Sequence, residues 1–178
     1  MQLLCCWEQG EAYRESMEQE QEPKKPFILP EANRTMHRAF AYLVKTRCLD
    51  PKVVSVFARR HMIYEDAKYH NAVFVGFDVD GIPRHAHKRG TCQRGKPFKG
   101  NVESCDPRYS FHWIGKSDTV YVFEAPIDML SFISMYQKDW MGHSYVALCG
   151  VAEHALVQLL EDVPHLSKIT LCLDHDKA

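Results

Sequence analysis

Apolar residues recur at two different spacings in the first half of the chain, and each spacing predicts a different element. Over residues 31–47 they fall three or four positions apart, which predicts a helix with one buried face. Asp50 followed by Pro51 is typical of a helix start, because aspartate caps a helix and proline suits its first turn. Residues 71–89 instead hold a short apolar run, the turn pair Asp80-Gly81 and alternating residues, which predicts a β-hairpin.

The second half alternates between strand and helix patterns. A run of β-branched and aromatic residues at 118–124 predicts a strand, and Pro126 then opens a helix. A strand at 144–149, a helix at 152–160 and a strand at 168–173 follow. Because these strands are too uniformly apolar to face water on one side, the βαβαβ order predicts a parallel sheet with helices on both faces.

The predicted fold class is therefore α/β, with an α+β lead-in of helices and a hairpin before the parallel βαβαβ unit. We expect three segments: an acidic and polar segment with a linker at 1–26, a lead-in domain at 27–115, and the βαβαβ unit at 116–178. A chain of 178 residues with 46% hydrophobic content can bury an ordinary core. No apolar run approaches the roughly 20 residues of a membrane helix, so we expect a cytoplasmic protein with no membrane partner.

Charge is distributed unevenly, although the net charge is only −1. Residues 1–22 hold six glutamates and one arginine, whereas residues 84–100 hold six cations and no acid. These cations are Arg84, Lys88, Arg89, Arg94, Lys96 and Lys99. Such a cluster favours a surface that binds the phosphate backbone of nucleic acid, and a solvated loop is the alternative.

Aromatic and metal-ligating residues near this basic segment each allow two interpretations. Aromatic side chains at 109, 111 and 113 are suited to stacking on bases, but their alternation is typical of one buried strand face, which we favour. The group His85, His87, Cys92 and Cys105 matches no zinc-site spacing, and an HxH pair on a strand is usually at the surface. We therefore expect no zinc.

Two strands of the βαβαβ unit end in acidic residues. Glu124 follows the first, with Asp128 one helical turn later, and Asp174 and Asp176 follow the last. Asp174 and Asp176 would project to the same side of an extended chain. Two carboxylates at such a short distance repel each other unless a cation lies between them. Magnesium, or manganese, suits such oxygen ligands and leaves room for phosphate. Glu124, Asp174 and Asp176 thus form a candidate metal site, although Asp-x-Asp alone is also typical of a solvated turn or a helix cap.

These motifs resemble the Toprim domain of bacterial DNA primases and topoisomerases. The segment "VYVFEAPIDMLSF" stands in the place of the family's Glu-Gly-x-x-Asp pattern, and "LDHD" in the place of its Asp-x-Asp pattern. Upstream, "AYLVKTRCLDPKVVSVF" and the predicted hairpin resemble the primase catalytic core. Residues 27–178 are similar to primase-like proteins of bacterial mobile and conjugative elements, in which a domain of unknown function precedes a Toprim-like domain.

The resemblance implies a magnesium-dependent enzyme that transfers nucleotidyl or phosphoryl groups on nucleic acid. Glu124 would act as general acid or base, Asp174 and Asp176 would hold magnesium, and Asp128 would support the metal shell. The implied partners are single-stranded DNA or RNA and nucleotides. A catalytically inactive nucleic-acid-binding module and a Toprim-type nuclease remain alternatives, because fold does not set the reaction.

The chain departs from the family pattern in two ways. Ala125-Pro126 stands where a glycine is expected after Glu124, so the backbone approaches a phosphate differently there. The chain also ends two residues after Asp176, before the helix and strand that complete the family's domain. We therefore expect a C-terminally truncated fragment, whose unfinished sheet edge offers a pairing surface for a second copy.

Overall fold

The first half of the chain builds an antiparallel sheet. The computed structural model describes residues 25–92, 98–150 and 153–173. Four strands lie in the order β1-β2-β3-β4, namely β1 Ile63–Glu65, β2 Ala72–Phe77, β3 Pro83–Arg89 and β4 Lys99–Asn101, and every neighbouring pair is antiparallel. The predicted hairpin is β2-β3, and Gly81 in its turn has a φ of +75°, which glycine adopts without steric cost. The hairpin prediction is confirmed.

Two helical segments pack against this sheet. Helix α1, His37–Ala41, continues into a π-helical turn, Tyr42–Thr46, and α2 spans Pro51–Arg59. The Asp50 carboxylate caps α2 by accepting hydrogen bonds from the backbone N–H groups at 52 and 53, as the Asp-Pro pair predicted. Among the described residues, no helix is both long and apolar enough to span a bilayer.

The helix predicted for residues 31–47 begins only at His37. Ala32 forms an isolated antiparallel bridge with Asp66, and the Asn33 N–H donates to the Glu65 carbonyl at 2.8 Å. The backbone of this segment is therefore paired alongside β1. Tertiary pairing overrides the local helical spacing there.

The second half builds a mixed sheet in the order β5-β7-β6-β8. Its strands are β5 His112–Trp113, β6 Thr119–Phe123, β7 Ser144–Ala147 and β8 Lys168–Leu171. Strand β6 pairs in parallel with both β7 and β8, so the predicted parallel βαβαβ unit is confirmed. The antiparallel strand β5 extends the sheet beyond β7.

Helices α3, Pro126–Met135, and α4, His154–Asp162, cover opposite faces of this sheet. Val120 and Val122 pack with the buried face of α4, whereas Phe123, on the other side of the same strand, packs in the core that contains α3. Successive residues of a strand point to opposite faces, so both faces of β6 are buried. This is the arrangement that the apolar strands predicted for β6. For β8 the expectation of burial on both faces is wrong, because all four of its residues are exposed at the edge of the sheet.

An aromatic cluster joins the two sheets. Phe111 is fully buried, with its ring centroid 5.3 Å from that of Phe57 in α2 and 5.5 Å from that of Phe74 in β2. The favoured interpretation of the aromatic alternation as a buried face is therefore confirmed for Phe111. At Gly76 an added Cβ would lie 1.8 Å from the Tyr109 carbonyl oxygen, so the chain before β5 packs directly on the backbone of β2. The two sheets are therefore packed directly against each other at this point.

Candidate active site in the cleft between the two sheets

A cleft of about 500 Å³ opens between the antiparallel sheet and the carboxyl-terminal edge of the mixed sheet. Its size lies in the range of ligand pockets, roughly 300 to 1,000 Å³. The charged residues that line it are Arg47, Arg89, Lys99, Glu124 and Asp128. Cations line one side and carboxylates the other, which is the charge distribution expected for a site that holds phosphate and a divalent cation together.

The acidic wall forms where β6 turns into α3. Glu124 follows the last residue of β6, Ala125 caps α3, and Asp128 lies in the first turn of that helix. The helix dipole favours negative charge at this end. The Glu124 carbonyl accepts a hydrogen bond from the Cys149 N–H at 2.9 Å, which ties the end of β6 to the end of β7. Both acids are therefore presented at the edge where parallel sheets bind ligands.

The basic wall follows from the alternation of side chains along β3 and β4. Arg89 lies directly opposite Lys99 in the antiparallel register, and both line the cleft. Lys88, the next residue along the strand, points to the other face, where its ammonium lies 5.4 Å from the Phe98 ring centroid. The predicted basic segment is thus part of two paired strands in the described residues, and its cations divide between two faces.

The remaining predicted cations are Arg84, Arg94 and Lys96. Arg84 donates from Nε to the Asp78 carboxylate at 2.7 Å, at the turn end of the hairpin. Arg94 and Lys96 lie outside the described residues. Whether this set binds nucleic acid stays a prediction.

Arg47 is a cleft residue that the sequence reasoning missed. It follows the π-helical turn, and its N–H donates to the Tyr42 carbonyl, five residues earlier, at 3.0 Å. The Tyr42 hydroxyl in turn accepts a long hydrogen bond, 3.4 Å, from Arg89 Nε. Tyr42 therefore contacts both cleft arginines, and π-turns of this kind are frequent at functional sites. Arg47 lies outside the basic segment 84–100 and carries no local sequence signal of its own.

Hydrogen bonds at the base of the cleft connect the antiparallel sheet to the end of β7 in the mixed sheet. His87 Nδ1 lies 2.7 Å from Asn101 Oδ1, and Asn101 Nδ2 donates to the Cys149 carbonyl at 3.2 Å. Desolvation raises the pKa of the Cys149 thiol to about 12, so this sulfur stays protonated and is a poor nucleophile. The expectation that His85 and His87 lie at the surface is wrong, because both side chains are buried against β2.

The proposed metal site extends beyond the described residues. Glu124 and Asp128 offer carboxylate oxygens, the donors that magnesium prefers. Asp174 and Asp176 lie outside the described residues, so the three-acid site stays a prediction. Within residues 25–92, 98–150 and 153–173, no three His, Cys, Asp or Glu side chains come together as a metal site. The expectation of no zinc also stays a prediction.

Two family models match consecutive parts of this chain. The model for DUF3991, described as a protein of unknown function, matches residues 41–117, and the model described as Toprim-like matches residues 121–178. The chain carries a Toprim-like domain after a DUF3991 domain. The resemblance noted in the motifs is confirmed, and the cleft lies where these two domains meet.

Relatives and solved structures add to this result. The uncharacterized protein pXO2-78 of Bacillus anthracis is 25% identical over 154 residues, which cover 79% of this chain and 44% of that protein. This chain therefore spans less than half the length of that relative. The fold of this chain is similar to that of the primase fragment of the bacteriophage T7 primase-helicase, with a TM-score of 0.54, 16% identity, and coverage of 75% of this chain and 54% of that one.

The Aquifex aeolicus primase, solved with its zinc-binding and RNA polymerase domains, gives a TM-score of 0.52 at 16% identity. The match covers 82% of this chain and 44% of that one. At such identities the likeness shows a shared fold. The chain shares the fold of the matched parts of these two primase structures. Its own acids and cations line one cleft.

Proposed function

We propose that this Toprim-like protein is a magnesium-dependent, primase-like enzyme that transfers nucleotidyl or phosphoryl groups on nucleic acid. One observation carries the proposal: Glu124 and Asp128 share a cleft of about 500 Å³ with three cations of the DUF3991 domain. Guanidinium and ammonium groups attract and orient phosphate oxygens. Carboxylates on the opposite wall bind a divalent cation and exchange a proton.

Magnesium fits the chemistry of the donors on the acidic wall. Strand β8 runs parallel to β6, and the Cys172 N–H donates to the Val122 carbonyl at 2.8 Å, so the chain that leads to Asp174 leaves the sheet at the edge where Glu124 lies. This supports a ligand set of Glu124, Asp174 and Asp176. When bound, magnesium would neutralise and orient phosphate oxygens. Glu124 would hold or move the proton of the attacking hydroxyl, and Asp128 would support the metal shell.

Single-stranded nucleic acid and nucleotides are the proposed partners. One chain of a bacteriophage T7 complex, in which DNA polymerase interacts with primase domains bound to an RNA/DNA hybrid and dTTP, shares this fold with a TM-score of 0.53 at 16% identity, and this likeness supports the proposal of both kinds of ligand. An association with a mobile element belongs to the same proposal, and the resemblance of residues 27–178 to primase-like proteins of such elements supports it. Cytoplasmic location belongs to the same proposal, since nucleotides and replicating nucleic acid are found there.

Replacing Glu124 tests the proposal directly. Glu124→Gln keeps the shape of the side chain and removes its charge and its proton-transfer capacity. We expect magnesium-dependent nucleotide incorporation on a single-stranded template to fall about 100-fold or more. The dissociation constant for nucleotide should change by less than about threefold, because the cations of the opposite wall remain. Glu161→Gln, at an exposed position of α4, is the matched control and should retain activity.

The same assays separate the two alternatives. If wild-type protein binds single strands but shows no turnover with magnesium or manganese, the chain is a binding module. If it cleaves single strands with magnesium and incorporates no nucleotide, it is a nuclease of the same fold. Either result contradicts nucleotidyl transfer. Equal activity of wild type and Glu124→Gln contradicts the assignment of Glu124.

A further inference from the structure

His87 is a neutral side chain among the charged residues of the cleft. It lies on β3, opposite Phe74 of β2 and Asn101 of β4, and it lines the cleft with 9% of its surface exposed. Neither the metal proposal nor the phosphate proposal uses it. Its small exposed part borders the same space as Glu124 and Arg89.

Hydrogen bonds fix which nitrogen of His87 carries the proton. Asn101 Nδ2 donates to the Cys149 carbonyl at 3.2 Å, and a carbonyl can only accept, so Oδ1 is the end of the amide that faces His87. His87 Nδ1 lies 2.7 Å from that oxygen and must therefore be the N–H donor. In the neutral imidazole, Nε2 then keeps an unprotonated lone pair. This is the ring nitrogen left to contact a ligand.

The surroundings of His87 keep the ring neutral. Burial is the largest influence and lowers its pKa, and the positive charges of Arg89 and Lys99 lower it further, while the hydrogen bond to Asn101 acts in the opposite direction. Across the cleft, the π-turn contributes Arg47, and the α3 side contributes Glu124 and Asp128. Above its ordinary value of 6.5, His87 is therefore an acceptor and carries no charge.

The unprotonated Nε2 of neutral His87 repels phosphate oxygens, because both are hydrogen-bond acceptors. It can instead accept a hydrogen bond from a neutral donor. In a nucleotide whose phosphates lie against Arg47, Arg89 and Lys99, the sugar hydroxyls are the neutral donors nearest to the phosphates. We infer that His87 is a specificity-determining residue whose Nε2 accepts a hydrogen bond from a sugar hydroxyl of the nucleotide. This inference rests on the proposed function, because it requires a nucleotide in the cleft.

The test compares four probes on the full 178-residue chain by calorimetry with magnesium: inorganic triphosphate, ATP, 2′-deoxyATP and 3′-deoxyATP. Wild-type protein should bind ATP about fivefold to tenfold more tightly than the analogue that lacks the contacted hydroxyl. In His87→Phe this preference should disappear, while triphosphate affinity stays within about twofold. His85→Phe is the matched control, because it makes the same substitution on the same strand at a residue that does not line the cleft. It should keep the wild-type preference.

The outcomes separate this inference from the proposed function. If triphosphate and ATP both fail to bind, the proposed function fails and the role of His87 fails with it. If triphosphate binds but His87→Phe discriminates between the nucleotides as wild type does, only the role of His87 is overturned. Nitrogen-15 NMR of wild type needs no variant: the Nε2 signal of His87 should shift with ATP and not with triphosphate. A signal that ATP leaves unchanged also overturns the role.

Discussion

At the scale of single residues, His85 is an ionisable side chain that is buried without hydrogen bonds to the described part of the chain. Its side chain is fully buried, and both ring nitrogens lack a hydrogen-bond partner among the described residues. Burial lowers its pKa to about 4, and the neighbouring His87 adds to this shift, whereas Asp106 opposes it. His85 is therefore neutral in the folded chain and becomes protonated on unfolding in mild acid.

This difference predicts a loss of stability in acid. Between the unfolded pKa of 6.5 and the folded value of about 4, unfolding takes up a proton, so the free energy of unfolding should fall as pH drops through this window. At about 1.4 kcal/mol per pH unit the loss from His85 is about 3 kcal/mol. Urea unfolding near pH 7 and near pH 4 measures it. The loss should be smaller by about that amount in His85→Phe and unchanged in His154→Gln, an exposed control. Equal losses in all three proteins would contradict the prediction.

At the scale of elements, a side chain from β1 caps the start of α1. The buried Glu65 carboxylate accepts hydrogen bonds from the backbone N–H groups of Arg38 and Ala39 at 2.8 and 2.9 Å. Asn33 Nδ2 and His70 Nδ1 lie 2.9 and 2.7 Å from its other oxygen. Burial alone would raise the pKa of Glu65, but these hydrogen bonds outweigh it and lower the pKa below 4.5. A strand thus stabilises a helix that has no side-chain cap of its own.

Glu65→Gln should destabilise the chain by about 2 kcal/mol. Both carboxylate oxygens of Glu65 face N–H groups, and the substitution puts an NH₂ group, which is a donor itself, in the place of one accepting oxygen. Above pH 4.5 the wild-type carboxylate is charged and the full difference is present, and it should shrink as pH falls through the lowered pKa. Thermal or urea unfolding across this range measures the effect. Glu103→Gln breaks only an exposed ion pair with Lys25, so its stability should stay within about 0.5 kcal/mol of wild type. A similar effect of both substitutions would rule out the capping role.

At the scale of the whole molecule, β8 forms an open edge of the mixed sheet within the described residues. Its apolar residues Ile169 and Leu171 are 48% and 63% exposed. The N–H groups of Lys168 and Cys172 donate to the chain of β6, so those of the alternate residues 169 and 171 point to the open edge. An edge of this kind favours pairing with another strand.

We therefore predict a concentration-dependent homodimer that pairs through β8. Leu171→Pro should abolish it, because proline removes an N–H from the open edge and none from the pairing with β6. Sedimentation velocity over a range of concentrations measures the association. Leu171→Thr retains the N–H and is the matched control, which should still dimerise. A wild-type monomer at every concentration would rule out this mode of assembly.

Local patterns determined much of the fold. The alternation of strands and helices predicted the parallel β6, β7 and β8. The burial that uniformly apolar strands require is found for β6 and β7, whereas all four residues of β8 are exposed. The Asp50-Pro51 and Pro126 signals predicted the starts of α2 and α3, because capping depends on adjacent residues. The place of Glu124 and Asp128 at a strand end follows from the same local rules.

The tertiary structure alone decided which residues face these acids. Arg89 and Lys99 share the cleft because the antiparallel register of β3 and β4 places them opposite each other. Arg47 also lines the cleft because it follows a π-helical turn, which the local sequence pattern did not predict. The burial and fixed tautomer of His87 likewise depend on partners from two other strands and the end of β7. Local sequence specifies elements, because their periodicity involves near neighbours, whereas a site between two sheets depends on contacts that are distant in the chain.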